Sequence, residues 1–387
     1  MSDSYRVTSR RSWGGRIGDS IKGILVGVVL FVAAFPVLWL NEGRAVETAK
    51  ALREGKGKVV SLDRPSPQPA LEGELIHFTG RAVTDDEVRD PIFGFGDVAL
   101  QFLRDVSMYQ WKENERTTTR TRAGGSEERV TEYTYEKVWS DRVIDSGRFH
   151  RAADYRNPGS MPYSGDSWIA SEVTVGDFQL SDSQVGRIGG AEPFPVRAED
   201  APASLGSFLD WDGGLYLPQG GGTPQAPEIG DVRIGFKVVR PTDVSVVGEQ
   251  RGGRVVGHAI GRRTIEMISR GVRSADEMFE EAERRNRMIT WLLRGLGLIL
   301  MTFGLSLVLR PLSVFADVLP LLGRLVGKVT GVFAFMISAG LSGITIAVAW
   351  IVYRPLLGVA ILVVAVAAIV AGFRLTRKPA AEPAPAS

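Results

Sequence analysis

Four long apolar runs constrain this chain more than anything else in it: "GILVGVVLFVAAFPVLWL" (23–40), "GLGLILMTFGLSLVL" (295–309), "VTGVFAFMISAGLSGITIAVAWIVY" (329–353) and "PLLGVAILVVAVAAIVAGF" (355–373). A helix needs about 20 apolar residues to cross a bilayer core, where no water satisfies an exposed backbone amide. The second run is short alone. Extended back through Trp291, with Arg294 snorkelling to the interface on its aliphatic stem, it becomes a span over 288–309. The first run is longer than a signal-peptide core and no small-residue cleavage site follows it, so it reads as an anchor.

Lysine and arginine set the expected orientation. Arg6, Arg10, Arg11, Arg16 and Lys22 precede the first span; Arg310, Arg324 and Lys328 lie between the second and third; Arg374, Arg377 and Lys378 follow the fourth. All three clusters fall on one side, which makes 1–22, 310–328 and 374–387 cytoplasmic and 41–287 extracytoplasmic. Arg284, Arg285, Arg287 and Arg294 run against the rule, but a domain this large translocates largely regardless of charge. Trp39, Trp291, Trp350 and Tyr353 end the spans at the outer interface, where amphipathic rings settle.

After Trp39 the apolar positions Ala45, Val46, Ala49 and Leu52 recur at helical spacing, so the first span is expected to run on as an amphipathic stalk until Gly55 and Gly57 stop it. Ser274 and Glu277 form a capping box that opens a second stalk, roughly 50 Å of helix to Leu309. Between the stalks the period changes to two. "GDVRIGFKVV" puts Val232, Ile234, Phe236 and Val238 on one face, and "TDVSVV", "GRVVGHAI" and "RTIEMI" follow as an antiparallel sheet with "GEQRGG" as a turn. A hairpin is expected from "DVSMYQWKENERTTTR" to "RVTEYTYEKVWSDRVI", tipped by "AGGS" at 123–126, with Trp111 near Trp139. Residues 181–230, rich in Gly and Pro, read as loops with a few short elements. The fold class is therefore an α+β multi-pass membrane protein: four transmembrane helices and a β-rich extracytoplasmic domain on helical stalks.

A net charge of +2 with 23% charged residues offers nothing for nucleic acid, and the absence of cysteine excludes disulfides, thiolate metal sites and a cysteine nucleophile. His77, His150 and His258 lie on separate segments, His77 and His258 within strand-like runs that favour structural roles, and no hydrolase, zincin or phosphate-loop motif is present. "TDDEVRD" gathers Asp85, Asp86, Glu87 and Asp90, hard oxygen ligands for Ca²⁺ but without EF-hand spacing; a solvated loop is the simpler reading. "AERRNR" (282–287) meets either lipid phosphates or, more simply, Glu280, Glu281 and Glu283 at helical spacing. No cofactor is expected. Gly23 with Gly27, and Ala339 with Gly343, form small-residue faces for close helix packing, inside one bundle or between subunits.

The strings "NEGRAVETAKAL", "MYQWKENE", "YTYEKVWSDRVIDSGRF", "NPGSM", "PEIGDVRIGF" and "YRPL", in this order, resemble the transmembrane protein 43 family, also called LUMA. The resemblance spans nearly the whole chain and singles out the junction Asn41, Glu42, Gly43 and Arg44. It implies four spans with one large loop, self-association, and, in eukaryotic members, residence in the endoplasmic reticulum and inner nuclear membrane with links to emerin and lamins. The cysteine-free, Ala-, Gly-, Val- and Arg-rich composition is that of a bacterial inner-membrane protein, for which membrane scaffolding is what carries over. The expected partners are the lipid bilayer, further copies of the chain and an unidentified membrane or extracytoplasmic protein. The rival expectation is a membrane-anchored hydrolase or lipid-modifying enzyme using the Asp85–Asp90 cluster.

Overall fold

The computed structural model describes residues 4–122, 125–317 and 320–355, with backbone alone over 320–324. Two compact units emerge: a β-rich one (1–10, 51–120 and 128–283) and a helical one (11–50, 121–127 and 284 onward).

The β-rich unit is built on two sheets. Its principal strands are β1 (Ser4–Arg11), β2 (Leu75–Val83), β3 (Gln101–Thr121), β4 (Glu127–Ser140), β5 (Leu209–Trp211), β6 (Gly214–Leu217), β7 (Val232–Val239), β8 (Thr242–Arg251) and β9 (Met267–Arg270). One sheet runs β1-β4-β3-β7-β6-β5, with Asp166–Ile169 added to β3 and Glu192–Pro193 to β7. The other centres on the antiparallel pair β2 and β8, Leu75 opposite Glu249 through Ala82 opposite Thr242, with β9 at an edge. Val232, Ile234, Phe236 and Val238 are all buried, as their period of two requires, in one core with Phe78, Phe102, Val106 and Phe178. Each such side chain contributes about 1.5–3 kcal/mol relative to exposure.

The strand Val232–Val239 and its successor were expected in one sheet, and here the structure differs. β7 has β3 and β6 on its two sides, and the chain turns at Arg240–Pro241 into the second sheet. Both edges of β7 are occupied, so β8 must find its partner elsewhere. The long hairpin is present. Trp139 packs on Tyr109 at 5.0 Å, and Trp111 on Tyr155 at 4.9 Å, in place of the expected tryptophan pair. The N-terminal tail carries a strand that periodicity does not announce, since every β1 residue is exposed; it lies along β4, with Arg6 and Glu132 3.0 Å apart.

Three long helices follow: α1 (Trp13–Lys58), α2 (Ala275–Ala316) and α3 (Pro320–Tyr353), each holding a stretch long and apolar enough to span a bilayer. The fourth expected span, 355–373, lies outside the described residues apart from its first position. α1 passes unbroken through Asn41–Arg44 and ends at Lys58, three residues beyond Gly55. Gly55 is a close-approach position and not a stop: the Ile265, Phe279 and Leu75 side chains occupy the space a Cβ would need. The Ser274–Glu277 capping box forms as expected, with the Ser274 amide donating to Glu277 at 2.8 Å and the Glu277 amide to Ser274 Oγ at 3.3 Å.

Candidate functional site: a polar clamp at the helix junction

α1 and α2 cross antiparallel at two glycines. A Cβ on Gly27 would stand 2.6 Å from the Gly304 carbonyl oxygen, and one on Gly304 would stand 2.6 Å from the Phe31 amide nitrogen. Further along, the Leu38 side chain lies over Gly297, and Ala34, Leu38 and Met301 form a small buried core joined by Leu341 and Ile346 of α3. Gly27 is thus used inside the chain. Gly23 only brushes Leu307, at 4.0 Å. Ala339 and Gly343 are exposed, because α3 turns Ala334, Ser338, Ser342 and Ala349 inward instead.

One turn beyond that core the contact becomes polar. Arg294 Nε and Nη2 donate to the two oxygens of Glu42 at 2.6 and 2.9 Å, and Trp350 Nε1 donates to the same carboxylate at 2.7 Å, so one side chain joins three helices. The Glu42 side chain is 2% exposed and that of Arg294 17%. Beside them Arg44 donates to Asn286 Oδ1 at 3.0 Å and Thr290 Oγ1 at 3.0 Å, Asn41 donates to the Thr290 carbonyl at 3.1 Å, and Asn286 to the Ala45 carbonyl at 3.0 Å. Gly43 leaves the space that Tyr353 fills: a Cβ there would be 2.7 Å from the ring.

The four expected interface aromatics gather at this level. Tyr353 lies 5.9 Å from Trp39, and the Arg294 guanidinium stands 4.8 Å from the Trp291 ring and 5.6 Å from that of Trp350. Arg294 was expected to snorkel; it is held by Glu42, because a guanidinium at membrane depth is stabilised far more by a bidentate carboxylate than by a partial reach to water. Sequence reasoning missed Asn286 and Thr290. The signal was there: 286, 290 and 294 are spaced by four and put one polar stripe on a helix that is otherwise becoming apolar.

The clamp's carboxylate and amides are hydrogen-bonded to groups of the three helices, which suits a fastening. The acidic cluster is likewise dispersed. Asp86 accepts from Ser171 Oγ and from the Ser171 and Glu172 amides, bonds that hold its carboxyl below the usual range. Asp90 is buried against Arg104 at 2.6 Å, and Glu87 pairs with Arg89 at 2.6 Å. Among the described residues no group of three or more His, Asp and Glu side chains is placed to hold a metal ion.

The histidines remain apart. His77 is buried between Ser61 Oγ (3.2 Å) and the Arg273 carbonyl (2.9 Å), His150 stacks on Tyr133, and His258 meets Glu249 at 3.0 Å. On the "AERRNR" stretch, Asn286 faces inward, and of the neighbouring acids Glu280 pairs with Lys56 and Glu281 with Arg273.

A second polar knot closes the other end of the helical unit. Arg16 is ion-paired to Glu127 at 3.1 Å and Asp317 at 2.5 Å, donates to the Gly125 carbonyl at 2.7 Å, and is only 11% exposed. Trp13 Nε1 donates to the Val314 carbonyl at 2.9 Å. The hairpin tip therefore touches the segments that begin α1 and end α2. The expected sidedness puts a bilayer between 1–22 and all of 41–287, and would separate Arg16 from Glu127.

The profile of the family described as Transmembrane protein 43 matches residues 108–355. The chain belongs to the transmembrane protein 43 family. It is 32% identical to Transmembrane protein 43 of Rattus norvegicus over 88% of this chain and 87% of the relative. The human Transmembrane protein 43 is 31% identical over 91% of this chain and 89% of its own length, and the Drosophila melanogaster homolog 28% over 87% and 90%. No solved structure matches the chain. The family profile takes in Asn286, Thr290, Arg294, Trp350 and Tyr353, and the matches to individual transmembrane protein 43 relatives extend over most of the remaining length.

Proposed function

We propose that this member of the transmembrane protein 43 family is a non-enzymatic membrane scaffold, in which the clamped helices fix a frame and the β-rich unit presents a surface to a protein partner. The observation that carries the reading is the Glu42 clamp: three helices joined through one buried carboxylate whose bonds are internal. Self-association is assigned to the exposed face of α3 with Ala339 and Gly343, since Gly27 is engaged by Gly304. The absence of cysteine and the alanine-rich composition support a bacterial inner membrane as its setting.

Complexes isolated in mild detergent and crosslinked should hold several copies of the wild-type chain, and Gly343→Leu should reduce that number. Loss of a measurable ester or phosphoester turnover on replacing Asp85 or Asp86 would sink the scaffold reading. For sidedness, the basic clusters support cytoplasmic termini, whereas the Arg16–Glu127 pair supports one side for the terminus and the hairpin tip. Single cysteines at Ser12 and Ser126, labelled from outside whole cells, decide it: equal labelling favours the ion pair, and labelling at Ser126 alone favours the charge rule.

A further inference from the structure

Among the described residues, three arginines have their guanidinium groups set each against two aromatic rings in partly or fully buried surroundings. Arg104 lies 5.6 Å from Phe93 and 5.1 Å from Trp168, Arg294 lies by Trp291 and Trp350, and Arg233 lies 3.8 Å from Trp139 and 4.5 Å from Trp211. The first two each grip a carboxylate, Asp90 and Glu42. Arg233 does not. Its Nε is buried without a hydrogen-bond partner, and among the described residues no carboxylate reaches it. Burial disfavours its charged form, and the Asp212 carboxylate opposes that only through its charge at a distance.

Arg233 lies on the solvent-side register of β7, between buried Val232 and Ile234, and it lines a cavity of about 700 Å³, within the range of small-molecule sites. One wall is the hairpin β5–β6. Its two-residue turn, Asp212 and Gly213, has φ of 43° and 72°, the left-handed pair that a tight hairpin needs, and the cavity wall includes Asp212 on this turn and Trp211 at the end of β5. Gly235 adds no side chain, and a Cβ there would meet nothing within 4 Å. Two tryptophan rings next to the guanidinium restrict its motion, so less entropy is lost when its fork meets a planar bidentate acceptor.

The remaining charges select among anions. Lys237 is already paired with Asp105 at 2.6 Å, leaving Arg233 and Arg142 against Asp141 and Asp212. A phosphate dianion in this cavity would face those two carboxylates. A ligand carrying one carboxylate and one ammonium group complements both signs. We propose that this cavity binds a small zwitterion of the amino-acid or short-peptide class, its carboxylate on Arg233 and its ammonium group toward Asp212 or Asp141.

The test is calorimetric titration of the full chain in nanodiscs with each of the free L-amino acids, with triglycine, with triglycine amide and with inorganic phosphate. The expected result is saturable binding of at least one amino acid or of triglycine. Selective binding of amino acids identifies the free amino acid, and selective binding of triglycine the peptide. In the peptide case, the amide should bind about 10-fold more weakly or worse. Arg233→Gln should weaken binding by at least about 10-fold and Arg233→Lys nearly as much, since lysine keeps the charge and loses the fork. Gly235→Leu, which puts a side chain into the cavity from a position where a Cβ meets nothing within 4 Å, should also abolish binding while protease resistance stays at the wild-type level. Absence of saturable heat with every amino acid and with triglycine would overturn the proposal. So would phosphate binding as tightly as the best zwitterion, an amide equal to its acid, or undiminished binding in Gly235→Leu.

Discussion

Arg104 in the β-rich unit and Arg294 in the helical unit share their immediate surroundings: a pair of aromatic rings beside the guanidinium and a buried carboxylate against its nitrogens. What surrounds each pair differs. Asp90 and Arg104 are 14 residues apart in sequence, 0% and 2% exposed, and lie beside a continuous apolar core that includes Phe93 and Phe102. Glu42 and Arg294 are 252 residues apart, and the apolar cluster their helices form beside the clamp has, among the described residues, three fully buried members, Ala34, Leu38 and Met301. Water drives the first region together. In lipid there is no hydrophobic drive between helices, so close backbone approach and interhelical hydrogen bonds must specify the second. The same ion pair is an accessory in one place and an organiser in the other.

The largest effect should come from Asp90→Asn, which keeps the caps on the Ile92 and Phe93 amides but leaves Arg104 charged and unpaired inside the core. We expect a cost of about 3–5 kcal/mol in the β-rich unit, read by hydrogen exchange across β3, with most of it recovered in Asp90→Asn/Arg104→Met. A double variant no better than the single one would show that the pair itself, and not the orphaned charge, is what matters there.

Glu42→Gln should cost less, about 1.5–3 kcal/mol, because Arg294 is part-exposed and can turn to the interface. The cysteine-free chain allows spin labels at Lys50 and Arg284, two exposed positions, and their distance distribution should broaden while the β-rich unit's hydrogen exchange is unchanged. Unchanged distances would remove the organising role and with it the contrast.

Gly27→Ala tests the backbone half of the same argument. The new methyl group meets a carbonyl that cannot rotate away, so the helices must part, at about 1–3 kcal/mol; Gly343→Ala, with nothing within 4 Å, should cost almost nothing. Equal effects at the two glycines would mean that the α1–α2 crossing is not tight in the membrane.

The smallest effect concerns protons. Burial holds the His77 imidazole below its ordinary value of 6.5, against the opposing pull of the Arg273 carbonyl. The carbonyl can only accept, so Nε2 carries the proton and Nδ1 accepts from Ser61. The unfolded chain then takes up a proton below pH 6.5 that the folded one refuses, and stability falls as pH drops from there toward the folded value. His77→Gln, whose amide can make both bonds, should flatten that slope in acid denaturation followed at β2. An unaltered slope would place the acid sensitivity elsewhere.

The spans of α1, α2 and α3, the continuation of α1 past Trp39, the capping box at Ser274 and the buried face of Val232, Ile234, Phe236 and Val238 were all determined by the sequence itself. Each is a consequence of periodicity or run length along one element, and a helix or strand exposes those patterns without reference to any other part of the chain. The clamp was half legible: Asn41–Arg44 stood out at the end of an apolar run, and the four aromatics fell at one depth. The rest required the fold. That Gly27 faces Gly304 while Gly343 faces outward, that β7 and β8 part into different sheets, and that Arg104 and Arg294 meet carboxylates while Arg233 meets only tryptophans depends on which faces are brought together. Pairings between residues as far apart as 42 and 294 are settled by how helices cross and strands order, and those are properties of several elements packed at once.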